Sequence, residues 1–87
     1  MTNITTNINN DDVQTHIDKA HELIDKYLPT AYVDEVLKKL PEGHNITKGM
    51  IRNVRAKLNN RLEILNALVE VALENKSKIE TLIKLTA

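Results

Sequence analysis

Cysteine, phenylalanine and tryptophan are missing from these 87 residues, and glycine, proline and tyrosine occur only twice each. Without cysteine the chain can form neither a disulfide nor a thiolate metal site. Without the two large apolar rings, its core must be built from Leu, Ile, Val and Ala, helped only by Tyr27 and Tyr32. A chain of this length buries only roughly 60–65% of its unfolded surface, so one domain is expected. No apolar run approaches the ~20 residues that a bilayer-spanning helix needs. The opening Met-Thr-Asn-Ile has neither a basic segment nor an apolar one, so no secretory signal is expected and the cytoplasm is the expected compartment. On that expectation the glycosylation patterns at Asn3-Ile4-Thr5 and Asn45-Ile46-Thr47 carry no meaning.

Catalytic groupings are equally scarce. His16, His21 and His44 are the only imidazoles, and the first two are five residues apart, which puts them on different sides of a helix. Surface or capping roles are expected for all three. Asp11-Asp12 and Asp34-Glu35 read as helix-start and solvated charges, with no nucleophile or glycine-rich phosphate loop nearby. The chain therefore reads as a non-enzyme, without cofactor, metal site or small-molecule substrate.

What the chain does have is an uneven charge distribution. Its 12 basic and 12 acidic residues cancel. Yet Gly43 to Leu62 holds Lys48, Arg52, Arg55, Lys57 and Arg61 and no Asp or Glu. The flanking segments are both net acidic. A partition of this kind is more informative than the neutral total.

Apolar spacing of about 3.6 residues runs through the chain and predicts an all-α fold, a small bundle of about four helices near 12–28, 30–40, 47–58 and 60–84. Residues 1–10 show no periodicity and read as a disordered amino-terminal arm ahead of a single domain over 11–87. Asp11 or Asp12 is a suitable cap for the first helix, and Pro29 ends it. Thr30 is expected to cap the second, which Pro41-Glu42-Gly43 stops. Thr47 is expected to cap the third, with Ile46 packing on Ile51 as a staple. Met50, Ile51, Val54 and Leu58 would line its inner side. Gly49, Arg52, Asn53 and Ala56 would form the outer side, with Lys48, Arg55 and Lys57 on its flanks. Arg pairs in bidentate fashion with guanine and Asn with adenine, and two small neighbours leave room for a base edge. Asn59-Asn60 marks a break before a last helix whose apolar positions cover about two-thirds of its circumference, more than one core requires.

The segment Tyr32 to Leu40, followed by Ile46 to Arg55 and then Glu63 to Ala72, resembles a helix-turn-helix of the lambda-repressor-like transcriptional regulators, in the short forms of phages and mobile elements. The likeness covers about residues 30–74. The stretch Pro41 to Ile46 is longer than that family's usual Gly-centred turn. The resemblance implies that the second helix of the motif enters the major groove from its amino-terminal end, so that Thr47, Lys48, Gly49, Arg52 and Asn53 face duplex DNA. It also implies that Val36, Ile51, Val54, Leu65 and Leu68 pack the motif. Arg55, Lys57 and Arg61 complete the expected DNA contacts.

A helical protein–protein interaction module is the alternative, with the basic face incidental or docking an acidic partner. Leu65, Leu68, Ala72, Ile79 and Leu82 fall at heptad-like intervals with Asn75 between them, which predicts a homodimer through the last helix. The competing expectation is a monomer whose last helix runs through the centre of its own bundle.

Overall fold

A computed structural model describes residues 10–87, and among them there are four helices and no strand. These are α1 (Asn10–Tyr27), α2 (Tyr32–Lys39), α3 (Lys48–Arg55) and α4 (Leu62–Thr86). The arm expected ahead of them lies outside the described residues, except that Asn10 already belongs to α1. Asp11 and Asp12 therefore stand within the first turn of α1 and not at its cap. No helix among the described residues is long and apolar enough to cross a membrane.

The two long helices, α1 and α4, form the main pairing, and the short α2 and α3 pack on each other and on α4. Ile17 and Ile24 come from α1, Val36 from α2, and Ile51 and Val54 from α3. They meet Ile64, Leu65, Ala67, Leu68 and Val71 of α4 in one core. Branched aliphatic side chains fill this space, as the lack of large rings requires. Two polar links fasten the periphery. Asn75 Nδ2 donates to the Tyr27 carbonyl at 2.7 Å, satisfying an acceptor at the carboxyl end of α1. Lys39 joins Glu74, and that contact holds the Lys39 ammonium above its ordinary pKa.

Local chemistry explains the helix limits. Pro29 follows α1 closely, as its conformational bias requires. The second helix starts at Tyr32, later than expected, with Ala31 and not Thr30 at its cap and no side-chain bond there. Between α2 and α3 the His44 amide donates to the Pro41 carbonyl at 3.2 Å. This closes a turn in which Gly43 takes φ 86°, a conformation that suits glycine. His44 then accepts the Ile46 amide on Nδ1 at 3.0 Å, a bond within the connection that caps no helix.

Thr47 caps α3 as its position predicts, accepting from the Met50 amide at 3.2 Å, while Met50 Sδ accepts the Thr47 amide. Ile46 and Ile51, the staple pair, are both buried in the core. The helix ends three residues earlier than expected. Leu58 donates its amide to the Asn53 carbonyl, 2.9 Å, and Lys57 donates to Val54, 3.0 Å. These two bonds make a Schellman termination, with Lys57 in the left-handed position at φ 68°. Leu58, expected on the inner side, is carried past the helix and is 72% exposed.

Candidate nucleic-acid interface

The inner and outer sides of α3 separate cleanly. Ile51 and Val54 are wholly buried against the other helices. Lys48, Gly49, Arg52, Asn53 and Ala56 are exposed on one strip, at the i, i+1, i+4, i+5 and i+8 spacing of a single helix face. Thr47 stands exposed at its head, its hydroxyl already engaged as the cap. An added Cβ on Gly49 would meet only Thr47 Oγ1, at 3.9 Å. Nothing in the fold demands glycine there.

The five bases of the acid-free segment are not equally available. Lys48 Nζ lies 3.7 Å from Asp34 on α2. Arg55 Nη1 donates to Asp25 Oδ1 on α1 at 2.8 Å, and Lys57 Nζ lies 3.8 Å from the other oxygen of the same carboxylate. Arg61 Nε donates to Glu63 at 2.7 Å, a local pair at the start of α4. Of the five, Arg52 alone makes no ion pair among the described residues. Acids distant in sequence thus return to a stretch that contains none. Pairs this exposed contribute only ~0–1 kcal/mol each, so a phosphate oxygen can replace a carboxylate at small cost.

Sequence spacing brings Lys48, Gly49, Arg52 and Asn53 together as expected. It does not foresee that Arg55 and Lys57 turn toward α1, nor that Arg61 sits apart from the strip, beside Glu63. Asp34, expected as a solvated helix-start charge, faces Lys48, and Asp25 faces Arg55 and Lys57. His16 is exposed, but His21 is buried at 6% exposure, contrary to the surface role expected for it. Both of its ring nitrogens lack a hydrogen-bond partner among the described residues. Burial, then the charges of Lys57 and Arg55, hold its pKa below the ordinary imidazole value, against the opposing pull of Asp25 and Asp18. Position 21 lies one helical turn from the buried Ile17 and three residues from the buried Ile24, and that spacing was the available signal.

The seam expected along α4 is divided. Leu65, Leu68 and Ala72 lie in the core of their own chain, covered by the shorter elements and α1, and cannot also face a second copy. Asn75 is engaged with Tyr27. Ile79 and Leu82 remain on the surface, at 39% and 60% exposure, with Ile83 beside them. They continue the face that the first half of α4 turns to the core, beyond the reach of the other helices.

Among the described residues no group of three or more His, Asp or Glu side chains is placed to hold a metal ion. No protein-family model, curated protein or solved structure matches the chain.

Proposed function

We propose that this protein binds duplex DNA through the outer strip of α3 and acts as a small transcriptional regulator. The observation that carries this reading is Arg52, exposed and without an ion-pair partner among the described residues, next to Asn53 and between the small residues Gly49 and Ala56. Arg and Asn are the side chains best suited to bidentate pairing with guanine and adenine in the major groove. Eight residues of helix span about 12 Å, similar to the groove's width of ~12 Å. In this reading α2, the connection and α3 act as a helix-turn-helix. Lys48, Arg55, Lys57 and Arg61 exchange their carboxylates for phosphates and contribute affinity without sequence preference. No catalytic step or cofactor is involved, and a cytoplasmic location goes with the role.

A homodimer suits the same reading. The exposed distal half of α4, with Ile79, Leu82 and Ile83, supports self-association there. Two copies of α3 on a two-fold axis would read half-sites about one DNA turn apart. Sedimentation of the wild type and of Ile79→Lys tests this. A dimer dissociated by the substitution is expected, and a wild-type monomer at micromolar concentration would contradict it.

A protein–protein interaction module is the second reading. It is favoured by the carboxylate partners of four of the five bases and by the same apolar surface. Electrophoretic retardation separates the two. Purified protein should retard duplex DNA at low salt, and Arg52→Glu should abolish the shift. Absence of any shift by the wild type would leave the interaction module as the better account.

A further inference from the structure

Behind the basic strip, α1 and the α3–α4 connection enclose a cleft of about 340 Å³. Asp18, His21 and Asp25 line it from α1, and Lys57 and Asn60 from the connection. Among the described residues His21 is the one buried polar side chain, and neither of its nitrogens is bonded to a partner there. One turn further along α1, Asp25 divides its two oxygens between Arg55 and Lys57, at 2.8 and 3.8 Å. The carboxylate thus occupies two cations of the proposed DNA interface, where a phosphate would otherwise sit.

We propose that His21 is a proton-operated latch on this interface: on protonation it draws Asp25 to itself, and Arg55 and Lys57 are released to bind phosphate. The inference rests on the DNA-binding reading for its purpose and on the cluster's geometry for its mechanism. Residues four apart on a helix are neighbours, so an imidazolium at position 21 and the Asp25 carboxylate can pair along α1. The adjoining cleft gives the ring and the carboxylate room to turn. A third cation beside Arg55 and Lys57 repels both, and one carboxylate cannot satisfy all three at short range.

The charged groups acting on His21 are Asp18 and Asp25 of its own helix, Arg55 of α3 and Lys57 of the connection. Glu22 stands at the cleft wall. No charge on α2 or α4 contributes among the described residues. Burial and the two bases keep the imidazole neutral near pH 7, so the latch is closed there. Because the folded chain takes this proton less readily than the unfolded one, the stability contribution is complete above the ordinary imidazole pKa of ~6.5. It is lost as the pH falls through the lower folded value. The latch therefore opens on acidification, and its opening weakens the fold.

Nuclear magnetic resonance of the full chain between pH 7.5 and 5 tests the mechanism without DNA. The Arg55 guanidinium signals should shift with the same midpoint as the His21 ring, and that shift should vanish in His21→Phe, which keeps the buried volume apolar. Asp25→Asn should show the released Arg55 signals throughout the range. In parallel, the wild type should bind a duplex roughly tenfold more tightly at the acidic end, as one or two phosphate contacts are gained. His21→Phe should show no such gain. Coupled titration without duplex binding at any pH would uphold the latch and remove the DNA-binding reading. Duplex binding with Arg55 signals indifferent to His21 would overturn the latch alone. Loss of circular dichroism above the His21 midpoint would overturn it as well.

Discussion

Within α3, Ile51 and Arg52 are adjacent in sequence, yet one is wholly buried and the other exposed. Val54, likewise buried, follows the exposed Asn53. The inner pair fixes where the helix lies; of the outer strip only Lys48 makes an ion pair among the described residues, the exposed one with Asp34. Gly49 shows this most plainly, since a methyl group there would meet only Thr47 Oγ1 at 3.9 Å. On the inner side residue identity is constrained by packing, whereas on the outer side it is free to answer to a ligand. Substitutions on the two sides should therefore differ in kind.

The largest effect on stability is expected inside. Ile51→Ala removes a fully buried side chain where α2, α3 and α4 meet, and should cost about 2–5 kcal/mol by denaturant unfolding. A loss well below ~1 kcal/mol would show that this side of α3 is not a packed surface. The edge of the strip should respond less. Thr47→Ala deletes the acceptor for the Met50 amide and should cost about 1 kcal/mol, with Thr47→Ser retaining most of it. Equal losses for the two would count against the cap. The smallest change should be of opposite sign. Lys57→Gly places glycine at φ 68° and should raise stability by up to about 1 kcal/mol, which a thermal melt would reveal. A destabilised Lys57→Gly would mean that the contact with Asp25 outweighs the backbone strain.

Periodicity and capping made most of the fold legible in the sequence. Pro29, Thr47 and the spacing of Ile17, Ile24, Ile51, Val54, Ile64 and Leu68 each act over one or two helical turns, and local patterns report local causes. The end of α3 was hidden because a lysine occupies the left-handed position where glycine usually announces it. The start of α2 was misplaced because Thr30 offers a side-chain cap, whereas the cap position falls on Ala31 and the helix begins at Tyr32. Features built from distant segments were invisible. Asp25 meets Arg55 and Lys57 across thirty residues or more, and Asn75 reaches Tyr27 across forty-eight. The candidate site was legible as a strip, through Lys48, Gly49, Arg52 and Asn53. Its electrostatic state was not, because the acids that face it lie in other helices. For the same reason the surplus of apolar positions on α4 was recognised, but not which half of the helix its own core consumes.

The central claim is that the outer strip of α3 reads duplex DNA with Arg52 while its neighbours hold phosphates. Titration of the wild type and Arg52→Ala against a preferred and a scrambled duplex, over a range of salt, tests it most directly. The logarithm of wild-type affinity should fall with the logarithm of salt with a slope of roughly −3 to −4.5 per chain, as three to five phosphates are neutralised. Arg52→Ala should narrow the gap between the two duplexes by about 1–3 kcal/mol and leave the unfolding midpoint unchanged. A wild type that binds neither duplex at low salt, or an Arg52→Ala protein that keeps the full discrimination, would contradict the account.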